Sequence, residues 1–232
     1  MNVSTAKQTL YFLVAFMSLW GCAGKSILVA NFETDVIGQS PATAQKVGTV
    51  RIDGPVQNCT IEKIANMPGK WVKITRPNNP AIVNGLQGIA TESKGEGKYV
   101  FTATLYIPDQ SGVATLQFEA HNQPTSIYES FLHIDFLENG KVRVNDNSEN
   151  DFGSFPKNQP FIIQVTLSIE PTIATADIVL SGAGTSGTFT VTDLRPHIQA
   201  RQFGNVRLWM GFPWVGSFYA TNLVLKYEAS NN

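Results

Sequence analysis

An all-β sandwich or barrel is the fold class that this 232-residue sequence predicts. Three observations carry that expectation. Thirteen short runs rich in Val, Ile, Thr, Phe and Tyr succeed one another, most of them alternating apolar and polar residues. Gly, Pro, Asn or Asp separates the runs, and past the N-terminus no stretch holds a 3.6-residue apolar period. With 43% hydrophobic and 15% charged residues, the chain has the makings of one large all-β core.

The predicted strands begin with SILVANF at 26–32, GTVRI at 48–52, KWVKIT at 70–75, PAIVNGL at 80–86 and KYVFTATLYI at 98–107. VATLQFEAH at 113–121, IYESFLHIDFL at 127–137, KVRVND at 141–146 and FIIQVTLSI at 161–169 follow. The last are ATADIVLS at 174–181, GTFTVTD at 187–193, VRLWMGF at 206–212 and FYATNLVLKY at 218–227. Asn139-Gly140 between two alternating runs predicts a hairpin with a type I′ turn, which needs positive φ twice. SGAGTSG at 181–187 is a looser Gly-rich turn, and IEKIANMPGKW at 61–71 has room for one helical turn at most. No repeat of about 40 residues marks a propeller. No Pro/Ser linker divides the chain, so one domain is expected over 26–229.

The N-terminus predicts export. MNVSTAKQ carries Lys7 and no acid, TLYFLVAFMSLW is a short apolar run, and GCAG follows. A basic start, about 7–15 apolar residues and then small residues make a signal too short to span a bilayer. Leu19-Trp20-Gly21-Cys22 resembles the lipobox of bacterial lipoproteins, which implies cleavage after residue 21 and lipid on the Cys22 thiol. Residues 22–25 would then be a short tether. Ala23 after the Cys implies sorting to the outer membrane in a Gram-negative cell; the same signal without lipidation would give a secreted protein.

Composition excludes several roles. Lys and Arg total 17 against 18 Asp and Glu, so there is no basic surplus for nucleic acid or for an anionic membrane surface. Membrane attachment is expected through the lipid alone, on a monomer. Cys22 and Cys59 are the whole cysteine complement, which rules out a disulfide framework and a Cys-based metal site.

The order ILVANFETDVIGQSP, GKYVFTATLYIP, FLHIDFLENGKVRV, PFIIQVTLSIEPTIATADIVLSG and VRLWMGF…GSFYATNLVLKYE resembles the concanavalin A-like lectin/glucanase jelly rolls, including laminin-G-like domains. The resemblance covers nearly the whole mature chain. It implies a two-sheet antiparallel jelly-roll sandwich, and a family that mixes sugar-binding modules, hydrolases, lyases and domains of other roles.

Alternation assigns faces. Glu129, Phe131, His133 and Asp135 are expected on one side of their run, opposite Tyr128, Leu132, Ile134 and Phe136. Thr115, Gln117, Glu119 and His121 oppose Ala114, Leu116, Phe118 and Ala120. Arg207 and Trp209 oppose Val206, Leu208 and Met210, and Thr102, Thr104 and Tyr106 oppose Phe101, Ala103 and Leu105. If these runs share one curved sheet, as the resemblance implies, the polar side lines its concave face. Sugars need such a mixture, an aromatic plate with charged and amide groups around it. Trp214 in GFPWVGS is either a further platform or a cap on the core, and Trp71 is open between core and face. In FIIQVTLSI only Gln164, Thr166 and Ser168 point outward, the pattern of an idle face.

Three chemistries are open on this face. The family's glucanases carry E-x-D-x-x-E with two catalytic Glu; here His133 stands at the nucleophile's position, before Asp135 and Glu138. Retaining hydrolysis needs two carboxyls about 5–5.5 Å apart, which imidazole does not replace. A lyase needs a base such as His or Tyr and a group that neutralises a uronate, such as Arg or Gln. His121, His133, Tyr106, Gln117 and Arg207 supply those types. A structural calcium is implied by the family's early FE and late DN; Phe32-Glu33 matches the first, and Thr221-Asn222 stands at the second. NDNSEND at 145–151 is also rich in oxygen ligands. No other cofactor is expected. The expectation is a glycan-binding, non-catalytic envelope protein. A lyase or hydrolase on the same face is the alternative, with His133, Asp135, Glu129, His121 and Glu119 as its catalytic set. A structural or protein-interaction domain is the third reading.

Overall fold

The computed structural model describes residues 24–78, 84–122, 127–145, 152–185, 187–192, 194, 202–211 and 213–230. Its first strands are β1 (Lys25–Ala30), β2 (Thr49–Asp53), β3 (Cys59–Glu62), β4 (Trp71–Arg76), β5 (Asn84–Lys94), β6 (Gly97–Tyr106) and β7 (Ala114–Asn122). Then come β8 (Ile127–Phe136), β9 (Val142–Val144), β10 (Pro160–Ile169), β11 (Ala174–Ser181), β12 (Thr188–Val191), β13 (Gln202–Met210) and β14 (Gly216–Glu228). They form two antiparallel sheets. The eight-stranded sheet runs β12-β11-β10-β6-β14-β4-β3, and β1 shares an edge of β14 with β4; the six-stranded sheet runs β2-β5-β13-β7-β8-β9.

The core lies between them, because each sheet turns one side of its alternation inward. β10 shows this most regularly: Phe161, Ile163, Val165, Leu167 and Ile169 are buried, and Gln164, Thr166 and Ser168 face out. Phe118 of β7 meets Phe101 of the opposite sheet edge-to-face at 5.6 Å and Phe203 of β13 at 5.9 Å. Trp71 belongs to this interior at 2% exposure, its indole N–H donating to Pro68 O at 3.1 Å. Cys59 is buried as well, and burial pushes its thiol up to about 12, with the Asp53 charge adding to the rise. Such a thiol stays protonated and unreactive.

Several boundaries differ from expectation. The strand Cys59–Glu62 was not foreseen, since CTIE is too short to show a period. Ile61 and Glu62 extend it in place of a helical turn, and a 3-10 turn precedes it at Val56–Asn58. β5 continues to Lys94 instead of ending near residue 86. The hairpin after β8 is present, but of Asn139 and Gly140 only Gly140 takes positive φ. Its N–H bonds Leu137 O at 3.0 Å, so the turn is not type I′.

Candidate functional site

Three rungs of side chains cross the outer face of the six-stranded sheet, placed there by the registers of β2, β5, β13, β7 and β8. The first pairs Asn205 with Glu119 and Glu119 with Ser130. The second reads Arg51, Gln87, Arg207, Gln117, His133 from strand to strand. The third reads Asp53, Gly85, Trp209, Thr115, Asp135, Arg143. With strands set about 4.8 Å apart, the second rung crosses five strands over about 19 Å and the third crosses six over about 24 Å.

This face carries deeply sunk polar groups. Gln87, Thr115, Glu119, Asp135 and Asn205 are all 5% exposed or less. Buried polar groups need partners, and ion pairs supply many of them. Arg143 donates to Asp135 Oδ2 from Nε at 3.1 Å and Nη2 at 2.7 Å, and Thr115 Oγ1 donates to Asp135 Oδ1 at 2.6 Å. Arg207 Nε lies 3.0 Å from Asp53 Oδ2, and its Nη1 lies 3.7 Å from Glu119 Oε1. Arg51 Nη2 reaches Asp53 Oδ1 at 3.5 Å, and the Asn205 amide donates to Glu119 Oε2. The Arg207 guanidinium also stands 5.1 Å from the Trp209 ring centroid, a cation–π contact. Gly85 sits under this group because a Cβ there would come 2.9 Å from Trp209 Cβ and 3.0 Å from Leu208 O.

Burial raises the Glu119 carboxyl above its ordinary value; Arg207 opposes that shift and Asp53 adds to it. The folded form then keeps a proton at pH values where the unfolded chain has lost it. Stability should therefore fall as pH climbs from the ordinary Glu range through the raised value. Glu119→Gln should flatten that segment of a melting-temperature profile. An unchanged slope would contradict this placement of the carboxyl.

Gln117, Glu119, His133, Asp135, Arg207 and Trp209 thus share the face expected of them. Tyr106 does not. It belongs to β6, which pairs with β10 and β14 in the other sheet, and its ring meets Tyr219 at 5.6 Å. Alternation also fails within β8. The register shifts between Phe118 and Glu119, so Phe131 and Leu132 both enter the core and Glu129 stands opposite buried Ala120. A β-bulge of this kind shifts the backbone alternation beyond it. His121 stands opposite Tyr128 and Gln202; the side chains of His121 and Glu129 lie outside the described residues. Trp214 is half-buried against the core over Gly112, where a Cβ would approach Trp214 Cβ to 2.6 Å, so it caps the sandwich. Arg51, Asp53, Gln87, Asn205 and Arg143 join the face without having been singled out. Alternation in TVRID hinted at Arg51 and Asp53, but only pairing brings them beside Arg207.

Asp135 and Glu119 are not spaced as a glycosidase pair. Asp135 pairs with Thr115, four residues along β7 from Glu119, a backbone separation of about 13 Å. That exceeds both the retaining and the inverting spacing. Glu138 lies past the end of β8 beside the turn.

The implied calcium position holds a different cation. Lys70 Nζ donates to Glu33 O and Asp35 O, each at 2.7 Å, and Thr221 Oγ1 donates to Lys70 O at 2.8 Å. The Glu33 carboxylate lies against Gly69, whose φ of +75° and missing Cβ allow the approach. Asn222 is exposed with φ of 53° at an irregularity in β14. An ammonium already bonded to these carbonyls does not suit Ca²⁺, and no cluster of His, Cys, Asp or Glu able to hold a metal occurs among the described residues. Of 145–151, all but Asn145 lie outside them. Lys70→Met should cost about 1.5–3 kcal/mol in urea unfolding, since two carbonyls lose a charged donor. Added Ca²⁺ should leave the wild-type melting temperature unmoved, and a calcium-dependent rise would argue for a metal here.

No family model and no curated protein matches the chain. Solved structures do. Alginate lyase vAL-1 from Chlorella virus superposes with a TM-score of 0.57 at 12% identity, covering 88% of this chain and 100% of that one. Arcelin-5, a lectin-like defense protein from Phaseolus vulgaris, gives 0.52 at 9% identity over 90% of this chain and 100% of its own. A mutant Trypanosoma rangeli sialidase displaying trans-sialidase activity gives 0.56 at 11% identity over 94% of this chain. The chain spans about a third of that sialidase, 33% of its length. The fold is a two-sheet antiparallel jelly-roll sandwich of the concanavalin A-like kind.

Proposed function

We propose that the outer face of the six-stranded sheet binds a glycan chain without cleaving it. The observation that carries this reading is Trp209, half-buried in the middle of the third rung, with Arg207, Thr115 and Gln117 around it. An aromatic plate takes the apolar face of a sugar ring, and fixed polar groups at its edge bond the hydroxyls. The lyase, lectin-like protein and sialidase that share the fold are consistent with a carbohydrate partner.

The Glu119 carboxyl, raised by burial beside Gln117 and Arg207, favours a second reading in which the face performs proton transfer as a lyase. A polysaccharide panel separates the two. Retention with intact polymer supports binding; unsaturated uronate absorbance or new reducing ends would establish cleavage. Retention of no polymer would leave the structural or protein-interaction role.

The same proposal places the protein in the cell envelope as a monomer, held by lipid on Cys22 and facing the outer membrane if the cell is Gram-negative. Residues 1–21 and Cys22 lie outside the described residues, and the support is the signal and lipobox pattern. Cys22→Ser should move the protein from the membrane fraction to the soluble fraction. Unchanged partitioning would refute lipidation.

A further inference from the structure

We infer that the ligand of this face is an uncharged glycan, a neutral hexose or pentose polymer, and that polyuronates are excluded. The inference rests on the glycan-binding reading and deepens it. It starts from the pairing of charges. Among the described residues of the three rungs the guanidiniums are Arg51, Arg143 and Arg207, and the carboxylates are Asp53, Glu119 and Asp135. Each guanidinium has a carboxylate within 3.5 Å: Arg143 has Asp135, Arg51 has Asp53, and Arg207 has Asp53 with Glu119 just beyond. A uronate arriving at Trp209 would meet cations already neutralised and two carboxylates beside Arg207. Setting like charges together on a desolvated face is unfavourable, and the burial that raises the Glu119 carboxyl acts in the same direction on any further anion there.

Most of what the face leaves over is neutral. Among the described residues, Gln87 Oε1, Gln117 Oε1, Asn205 Oδ1, Ser130 Oγ and Trp209 Nε1 are buried atoms of this face without a hydrogen-bond partner, and so are Arg207 Nε and Asp53 Oδ2, which face each other at 3.0 Å as an ion pair. Gln87 is 4% and Asn205 is 3% exposed, so their unmet oxygens are an unusual expense in a folded protein. Gln87 and Gln117 flank Arg207 on its two neighbouring strands. Three amide acceptors and one indole donor fit water or sugar hydroxyls, which both give and accept protons. They offer nothing specific to a carboxylate. Neutral hydroxyls recognised by amides around one aromatic plate are the chemistry this arrangement supports.

The experiment is affinity electrophoresis of the full chain in gels carrying laminarin, xylan or hydroxyethylcellulose, against gels carrying alginate or polygalacturonate. At least one neutral polymer should retard the protein, with little change between low and high salt, and the polyuronates should not. Retardation by a polyuronate that Trp209→Ala removes would overturn the neutral class while leaving the face a glycan site. Retardation by nothing would overturn the glycan reading and this inference with it. A gain-of-binding variant keeps the pairing argument exposed. Asp53→Asn with Glu119→Gln releases Arg207 and should raise affinity for alginate roughly fivefold or more. Absence of any gain would show that paired charge is not what excludes uronates.

Discussion

Trp209→Ala should cut polysaccharide retention at least thirtyfold, roughly 2 kcal/mol, while leaving the melting temperature close to wild type. The ring is half-buried on the face and outside the core, so its removal takes the plate from the face and little from the core. It lies back over Gly211, where a Cβ would come within 2.9 Å of the ring edge, and Arg207 stands over it. These contacts fix the indole before any ligand arrives, and an ordered plate loses little conformational entropy on binding. Trp209→Phe should retain part of the affinity, because a smaller aromatic still offers a π face. Isothermal titration with the retarding polymer reads both values. Equal affinity in wild type and Trp209→Ala would move the site away from this face.

Phe118→Ala should cost about 3–5 kcal/mol of stability, a fall of roughly 10 °C in melting temperature. Phe118 is fully buried and touches Phe101 across the sandwich as well as Phe131 and Phe203 in its own sheet. Phe118 thus joins both sheets, through β6 on one side and through β8 and β13 on the other. The cavity would open directly beneath the chain segment that carries Gln117 and Glu119, so retention should weaken too. Urea unfolding measures the first effect. A loss under about 1 kcal/mol would mean the sheets do not meet through this ring.

The strands of this fold were legible wherever alternation ran long enough. FIIQVTLSI reads as a strand with one dry and one wet side, and its burial follows that reading residue by residue. HIDF and TLQFE gave His133, Asp135, Gln117 and Glu119 a common face for the same reason, since Leu, Ile and Phe between them must point to a core. The readings that failed did so at defined physical events. Phe131 was assigned to the wet side because period-2 counting cannot see an inserted residue, and the bulge in β8 turns it inward. Tyr106 was credited to the site because its strand has the right alternation, which is silent on sheet membership. A structural calcium was one possibility at Glu33 and Asn222; Lys70, 37 residues from Glu33, brings its ammonium to the Glu33 and Asp35 carbonyls there.

Composition, local period and turn residues by themselves determined that this protein is all-β, which side of most strands is dry, and which polar side chains were available on the other. Those properties depend on neighbours in the chain. Only the tertiary structure decided which strands became neighbours, and so which side chains met. The pairing of β2 with β5 and of β5 with β13, strands far apart in sequence, brought Asp53 to Arg207 and Gln87 beside it. Strand pairing is a choice among long-range contacts set by the packing of the whole core, and no local pattern carries it. A set of polar residues that looked rich in free charge became, through that pairing, a neutralised floor around one tryptophan.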